Sequence, residues 1–234
     1  MTAAQKPTLL VNEIFYSIQG ESTHAGRPCV FVRLRGCHLR CAYCDTEYAF
    51  HEGEKMALPQ ILDEVEKVSG GDSGLVEVTG GEPLLQPDVH PLMAALCDAG
   101  KTVLVETSGA CDISACDPRV IRVMDLKTPG SNEAHRNDWD NPARLTDRDE
   151  VKFVLTDRAD YDWMKNKLAE HRLAEKVNAV LVSAVHDVPP GKEISGCPGL
   201  SLTDLAQWVL EDRLPVRVQT QLHKLIWDPT ARGV

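Results

Sequence analysis

Residues 36–45 read GCHLRCAYCD and place three cysteines, Cys37, Cys41 and Cys44, in the spacing C-x3-C-x2-C. Ordinary ferredoxin clusters are held by four cysteine thiolates. Three thiolates in one loop, with no fourth cysteine beside them, would leave one iron of a 4Fe–4S cube without a protein ligand. An open metal position is where a small molecule binds and reacts, as in catalytic zinc sites. The spacing therefore indicates a catalytic iron–sulfur cluster.

Two other uses of these cysteines fit the pattern less well. A structural zinc site would take His38 as its fourth ligand, but zinc ligands usually come as two separated pairs and no second pair follows. A disulfide framework is unlike this chain, because eight cysteines among 234 residues are too dilute for a small disulfide scaffold. We therefore predict reduced thiols in a cytoplasmic protein.

The composition and charge are those of a soluble globular protein. The chain has 234 residues, 43% hydrophobic and 26% charged, which is enough to bury a sizeable core. The formal net charge of −10 argues against a protein that binds nucleic acid through phosphate contacts. No apolar run approaches the roughly 20 residues that span a bilayer. We expect one domain over residues 1–234, with a loose arm at 1–8 and a tail at 228–234.

Short apolar runs alternate with amphipathic stretches along the chain. The strand candidates are residues 29–34, 75–79, 102–106, 121–126, 151–155, 179–185 and 216–220. The helix candidates are residues 58–68, 89–99, 161–170 and 202–212, the last with Ser201 as a candidate N-cap. Alternating strands and helices predict a parallel sheet with right-handed crossovers. Because a full eightfold barrel takes about 250 residues and few helices are present, we predict an α/β fold, a partial (β/α) TIM-like barrel of six to seven parallel strands.

Polar motifs follow several of these strands, at the edge where such sheets bind ligands. Residues 80–83 read GGEP, in which the glycines allow close backbone approach and Glu82 can accept hydrogen bonds from an ammonium group. Asp125 could bind ribose hydroxyls or an ammonium group, and Lys127 could bind a carboxylate. Ser183, on a later strand, is a weaker candidate. Each of these is also compatible with a tight turn or a solvated strand end.

Segments near both ends of the chain add further candidates. Gln19 and Glu21 offer the donor and acceptors that suit an amidine-like heterocycle edge, although the segment also resembles a polar turn. Arg33, or Arg35 if the strand has the opposite orientation, could bind a carboxylate. His223 follows the last strand and could complete the site. The charged residues 149–152, DEVK, are interpreted as a surface ion-pair array.

Taken together, these segments resemble one family. The matching motifs, spread over residues 11–227, are SIQGES, FVRLRGC, CxxxCxYCDT, TGGEP, ETSG, DLK and QLHK. They resemble the 7-carboxy-7-deazaguanine synthases, which belong to the radical S-adenosylmethionine (SAM) superfamily. The resemblance implies conversion of 6-carboxy-5,6,7,8-tetrahydropterin to 7-carboxy-7-deazaguanine with loss of ammonia, on the route to queuosine and other 7-deazapurines. It also implies a homodimer and a reductase partner such as flavodoxin.

The resemblance further implies a 4Fe–4S cluster, SAM and Mg²⁺ as cofactors, with specific residues for each. The cluster ligands would be Cys37, Cys41 and Cys44, and the magnesium ligand would be Thr46. The SAM-binding residues would be Tyr43, Asp45, Gly81, Glu82, Asp125, Lys127 and Ser183. The pterin-binding residues would be Ile18, Gln19, Gly20, Glu21, Thr79, Glu106 and His223, with Arg33 on the 6-carboxylate.

Two rival functions remain open from the sequence. A glycyl-radical activase, which acts on a protein partner, also carries an RGCxLRCxYC-like loop. The heterocycle-binding segment at 17–22 and the QLHK motif at 221–224 favour the synthase over an activase. The second rival is a non-catalytic iron–sulfur or zinc module, for which the same cysteines would suffice.

Overall fold

A computed structural model describes residues 7–71, 74–186 and 197–234, and it contains one nine-stranded sheet within those residues. The strands are β1 (Thr8–Ile18), β2 (Pro28–Leu34), β3 (Glu54–Ala57), β4 (Leu75–Gly80), β5 (Thr102–Thr107), β6 (Ile121–Asp125), β7 (Glu150–Leu155), β8 (Ala179–Ala184) and β9 (Arg217–Gln219). Their order is β3-β1-β2-β4-β5-β6-β7-β8-β9. From β2 to β9 every neighbouring pair is parallel. The partial barrel with seven parallel strands confirms the predicted fold.

Helices cover the outer face of this sheet. They are α1 (Leu58–Ser69), α2 (Val89–Asp98), α3 (Asn141–Arg144), α4 (Arg158–Glu170), α5 (Leu173–Lys176), α6 (Leu202–Asp212) and α7 (His223–Ile226). The four long helices are the four that the sequence predicts. The Asp204 amide donates to the Ser201 side chain, which confirms the predicted N-cap of α6. No helix in the described residues is long and apolar enough to cross a bilayer.

The two antiparallel strands β1 and β3 are absent from the prediction. β1 pairs antiparallel with β2, and its first residues also pair with β3. The prediction of a loose arm is wrong at Thr8, whose amide donates to Asp88 over 2.8 Å, and Leu9 and Val11 lie in the core. Residues 1–6 of that arm lie outside the described residues. β1 was not predicted because its residues mix polar and apolar types, without the continuous apolar run that is typical of a buried parallel strand.

Successive side chains of each strand point to opposite faces of the sheet. One face is covered by the helices, and the other lines the barrel interior. The outer face contributes the large apolar core together with the helices. The inner face begins with a smaller apolar cluster made of Cys29, Phe31, Leu75, Leu104 and Val123. Towards the carboxyl ends of the same strands, the inner residues become polar. These polar inner residues include Arg33, Glu77, Thr79, Glu106, Asp125, Lys152 and Ser183. The barrel interior therefore has an apolar floor beneath a polar cavity.

Candidate active site

A cavity of about 410 Å³ opens at the carboxyl ends of the parallel strands. That volume is in the range of small-molecule sites. All the residues that the resemblance implies for cluster, SAM, magnesium and pterin line this cavity, with the single exception of Glu82. Arg33 lines it and Arg35 does not, so of the two candidate arginines it is Arg33 that faces the interior. Residues as far apart in the sequence as Ile18 and His223 thus meet in one place.

The cysteine loop leaves β2 and is held against the loop that follows β4. The Glu82 amide donates to the Gly36 carbonyl over 2.9 Å. A Cβ atom at Gly81 would lie 2.4 Å from the Gly36 oxygen and 2.6 Å from the Cys37 Cβ. Glycine is therefore required at position 81, because a side chain there would push the two loops apart. Burial raises the pKa of the Cys37 and Cys41 thiols, and it raises that of Cys44 to about 11.

The surroundings of the three cysteines suit a polar ligand. The Tyr43 hydroxyl, the Asp125 Oδ1 and the Ser183 hydroxyl are buried and have no hydrogen-bond partner among the described residues. Buried polar atoms normally have such a partner. All three residues line the cavity, so a bound molecule with donors and acceptors would satisfy them. Over the same described residues, no group of three or more His, Cys, Asp or Glu side chains converges as the ligands of a single metal ion do.

Glu82 has a different position from the one its motif suggests. Its side chain is fully buried, and its carboxylate accepts hydrogen bonds from the Leu84 amide, the Thr107 hydroxyl, and both the amide and the hydroxyl of Ser108. These bonds join the loop after β4 to the end of β5. The structure therefore does not bring Glu82 to the cavity. Its carboxylate instead supports the ETSG turn, three of whose residues line the cavity wall.

An ion pair lies beside the cysteine loop. The part of the cavity wall formed by the three cysteines, Tyr43, Asp125, Lys127 and Ser183 is called the cysteine side. Lys127 donates to the Asp125 Oδ2 over 2.9 Å, and its Nζ lies 5.9 Å from the centre of the Tyr43 ring. Burial acts to lower the pKa of Lys127, but the neighbouring Asp125 carboxylate raises it well above the usual value. Burial acts to raise the pKa of Asp125, but the positive charges of Lys127 and Lys152 outweigh this effect and lower it. Both groups are therefore charged at neutral pH.

Gln19 is oriented by two partners inside the protein. Its amide nitrogen donates to the Glu77 carboxylate, and its oxygen accepts from the Glu21 amide over 3.0 Å. Burial, reinforced by the negative charge of Glu21, raises the pKa of Glu77 from its ordinary value of 4.5 to about 7. The sequence analysis missed Glu77. The available signal was a lone carboxylate within an otherwise apolar strand, LVEVTG.

Lys152 lies at the centre of the charged groups. Its Nζ donates to Glu21 over 2.6 Å and to Glu106, and it lies 3.6 Å from the Asp125 carboxylate. The interpretation of residues 149–152 as a surface array is wrong, because Asp149, Glu150 and Lys152 are all buried. Lys152 lies on the inner face of β7, so its side chain lines the cavity and does not face solvent. Burial raises the pKa of Glu106 to about 8, against the opposing effect of the Lys152 ammonium.

Arg33, on β2, is held in the cavity wall by a carboxylate and two aromatic rings. Its Nε donates to the Glu13 carboxylate over 2.7 Å, and the Tyr48 hydroxyl donates to the same carboxylate over 2.9 Å. The guanidinium carbon lies 5.8 Å from the centres of both the Phe15 and the Tyr48 rings. Within the described residues, this guanidinium bonds through Nε alone. Its terminal nitrogens are therefore available to a carboxylate ligand.

The segment after β9 closes the gap between the first and last strands. The Leu222 amide donates to the Gly20 carbonyl over 2.9 Å, and a Cβ at Gly20 would lie 2.2 Å from the His223 Nδ1. Lys224 donates to the Asp45 Oδ2 over 2.6 Å. Partial desolvation opposes ionisation of Asp45, but the Lys224 charge outweighs this effect and holds the pKa of Asp45 well below its usual range. One short segment thus fixes both the Gly20 loop and the cysteine loop.

Two further groups lie near the mouth of the cavity. The Thr46 hydroxyl donates to the Asp45 Oδ1 over 2.8 Å, which leaves its oxygen able to bind a cation. Residues 229–234 of the tail also line the cavity. Arg232 packs on the Tyr48 ring, 3.9 Å from its centre, and its NH1 lies 2.8 Å from the Glu52 carboxylate. The tail predicted at residues 228–234 is therefore part of the cavity wall.

The partial barrel and the three-cysteine loop define a radical SAM protein, and the family model of the radical SAM superfamily matches residues 31–125. Proteins of this class use a 4Fe–4S cluster and SAM. The chain is 44% identical to the 7-carboxy-7-deazaguanine synthase of Koribacter versatilis, over 96% of this chain and 99% of that protein. It is 43% identical to that of Chlorobaculum tepidum, over 97% of each. The chain belongs to the 7-carboxy-7-deazaguanine synthase family.

A solved structure gives the same result for the fold. The crystal structure of QueE from Escherichia coli matches with a TM-score of 0.70 at 22% identity, covering 92% of this chain and 95% of that chain. The family predicted from the motifs is confirmed by the identities to the two synthases. Membership also favours a synthase over the two rivals, the glycyl-radical activase and the non-catalytic module.

Proposed function

We propose that this chain converts 6-carboxy-5,6,7,8-tetrahydropterin to 7-carboxy-7-deazaguanine with loss of ammonia, in the biosynthesis of queuosine or other 7-deazapurines. The observation that carries this proposal is that the cysteine loop, the carboxyl groups of Glu21 and Glu106, and Arg33 all line the same cavity. A pterin carboxylic acid presents N–H donors on its pyrimidine ring and a negative charge at the far end of its second ring. The carboxylates and the arginine are complementary to these two ends.

The residues present also suit the cofactors of the class. Cys37, Cys41 and Cys44 would hold the 4Fe–4S cluster, and the Thr46 oxygen, substrate oxygens and water would complete the shell of a Mg²⁺ ion. The SAM-binding residues would be Tyr43, Asp45, Gly81, Asp125, Lys127 and Ser183. The three buried polar atoms without partners support this assignment. When bound, the cluster and SAM supply a carbon radical that can remove hydrogen from a C–H bond.

The chain itself would orient the pterin and exclude water. Arg33 would bind the 6-carboxylate through its terminal nitrogens, while Glu21 and Glu106 accept hydrogen bonds from the pyrimidine ring. Phe15 and Phe31 are stacked, with ring centroids 5.0 Å apart, and form part of the apolar floor. A dry floor strengthens the electrostatic contacts above it and keeps solvent away from reactive species. His223 would contact the pterin from its position against Gly20.

The same proposal includes a cytoplasmic homodimer and a one-electron donor such as flavodoxin. Exposed apolar side chains on β1, β9 and α7 support a self-association surface, namely Tyr16, Val218, Leu225 and Ile226. The need of radical SAM chemistry for an electron supports the donor. Sedimentation of the purified protein tests the homodimer, and reduction of the cluster by reduced flavodoxin tests the donor.

Anaerobic turnover tests the proposed reaction. Protein with a reconstituted cluster is mixed with SAM, dithionite, magnesium and 6-carboxytetrahydropterin, and 7-carboxy-7-deazaguanine is detected by its mass. We expect product only when all four additions are present. Release of 5′-deoxyadenosine without product would contradict the proposed substrate. Absence of both signals, from protein with a full cluster, would contradict the enzymatic function.

A further inference from the structure

We propose that Lys152 is a positioning residue, which holds Glu21 and Glu106 together as a pair of acceptors for the N–H groups of the heterocyclic substrate and links that pair to Asp125. The proposal rests on the proposed function, since it concerns the substrate of the same cavity. No sequence motif points to Lys152. Its role follows from where the fold places its ammonium group.

Three separate parts of the chain meet at this ammonium group. Glu21 lies in the loop after β1, Glu106 lies near the end of β5, and Asp125 is the last residue of β6. Lys152 is the direct register partner of Asp125 on the neighbouring strand. Its Nζ bonds to Glu21 and Glu106, and its side chain is 6% exposed. Lys152 therefore joins elements that have no other ion pair with one another among the described residues.

The chemistry of the ammonium group explains why a lysine suits this position. It has three hydrogen-bond donors and no acceptor, so two carboxylates can share it without competing for the same proton. Lys152 is the cation that both Glu21 and Glu106 contact, and neither carboxyl group has another ion pair among the described residues. Its hydrogen bonds hold the two carboxyl groups close together. Without the ammonium group the two side chains would lose this spacing, and the pair of acceptors for substrate N–H groups would be lost.

The contact of Lys152 with Asp125 connects the two sides of the cavity. Asp125 Oδ2 lies 2.9 Å from the Lys127 Nζ and 3.6 Å from the Lys152 Nζ, while its Oδ1 is buried without a partner. Lys127 belongs to the cysteine side, next to Tyr43, and Lys152 belongs to the side of Glu21 and Glu106. Asp125 thus lies between the two lysines. A shift of Lys152 would change the position of the substrate relative to SAM.

Substitutions of Lys152 test this role. Lys152→Met removes the charge and keeps most of the side-chain volume, and Lys152→Arg retains the charge. Lys67→Met, at an exposed position on α1, is the matched control. Binding of 6-carboxytetrahydropterin and of SAM is measured separately by calorimetry on the cluster-loaded protein without reductant. Turnover then gives the ratio of 5′-deoxyadenosine released to product formed.

We expect Lys152→Met to weaken pterin binding about 30-fold or more, the range for a lost set of charged hydrogen bonds, while SAM binding changes less than about threefold. The ratio of 5′-deoxyadenosine to product should rise, and Lys152→Arg should restore part of the affinity. Unchanged pterin affinity and unchanged coupling in Lys152→Met would overturn the proposal. Equal weakening of both ligands would also overturn it, because that indicates a general structural defect.

Removal of the buried Lys152 cation can also destabilise the fold. A second variant separates this effect from the effect on pterin binding. Lys152→Met leaves Glu106 without its partner, so we add Lys152→Met/Glu106→Gln, in which the partner carboxylate is also neutral. The melting temperature of the double variant should return towards that of the wild type, while pterin affinity stays low. Recovery of both would overturn the proposal. A wild-type protein that forms no product would instead contradict the proposed function, so the two failures are distinguishable.

Discussion

The two sides of the cavity differ in how their polar groups are satisfied. On the cysteine side, Tyr43, Asp125 and Ser183 each keep a buried polar atom without a partner in the described residues. The remaining polar lining residues, called the opposite side, include Gln19, Glu21, Arg33, Glu106 and Lys152. There, Gln19 bonds to Glu77, Lys152 bonds to Glu21 and Glu106, and Arg33 bonds to Glu13. On the first side, a bound ligand would satisfy these atoms. The second is neutralised by its own residues, so a substrate there must bind to groups that already have partners.

The largest expected effect concerns the cysteine side. Cys41→Ala removes one of three thiolates, and a cube with two protein ligands has no stable attachment. We expect loss of the iron–sulfur absorbance and complete loss of product, with the melting temperature of the apoprotein little changed. Cys97→Ala, at a half-buried cysteine on α2 that does not line the cavity, is the control. Full activity of Cys41→Ala would show that this side is not the cluster site.

The next largest effect is expected for the binding of the pterin by Arg33, on the opposite side. Arg33→Lys keeps the positive charge beside Glu13 but loses the two-pronged guanidinium contact with a carboxylate. The loss of one hydrogen bond to a charged group, about 1.5–3 kcal/mol, corresponds to a rise in KM for the pterin of about 10- to 150-fold. We expect kcat to change much less, since this contact forms in the ground state as well. Arg35→Lys, outside the cavity, should leave both constants unchanged.

A third prediction concerns the junction that shapes the cysteine side. Gly81→Ala would place a Cβ 2.4 Å from the Gly36 oxygen, so the two loops must move apart. We expect a loss of about 1–3 kcal/mol in the free energy of unfolding and less iron bound per chain. Gly74→Ala is the matched control, because a Cβ there meets no atom within 4 Å. Equal behaviour of the two variants in urea unfolding and iron analysis would contradict the close approach.

The smallest effect is a pH dependence on the neutralised side. The pKa of Glu77 is raised from 4.5 to about 7, so between these values the folded protein holds a proton that the unfolded chain has lost. The free energy of unfolding therefore falls as pH rises through this window, by up to about 1.4 kcal/mol per pH unit for one such carboxyl group. Glu77→Gln should show a flatter decline between pH 5 and pH 7 in urea unfolding. A parallel decline in both proteins would contradict the raised pKa.

Continuous apolar runs made the parallel strands predictable, and the motifs at their ends led to the cysteine loop and most of the cavity wall. β1 and β3 were missed because an antiparallel edge carries mixed polar and apolar residues. Glu77 was missed, and Lys152 was wrongly interpreted as a surface residue, for a different reason. Their partners Glu21, Glu106 and Gln19 lie 131, 46 and 58 positions away, and local patterns do not encode such distant pairings. The internal role of Glu82 was not predictable for the same reason, since its partners Thr107 and Ser108 lie at the end of the next strand and directly after it.

The central claim is that the cysteine side and the Arg33 side form one active site. The most direct measurement uses 6-carboxytetrahydropterin carrying deuterium at C6, turned over anaerobically with unlabelled SAM. The resemblance implies that the hydrogen at C6 moves to the adenosyl group and that SAM is regenerated. We therefore expect deuterium in the recovered SAM or 5′-deoxyadenosine, together with 7-carboxy-7-deazaguanine. Product formed with no deuterium in either adenosyl compound would contradict a shared site.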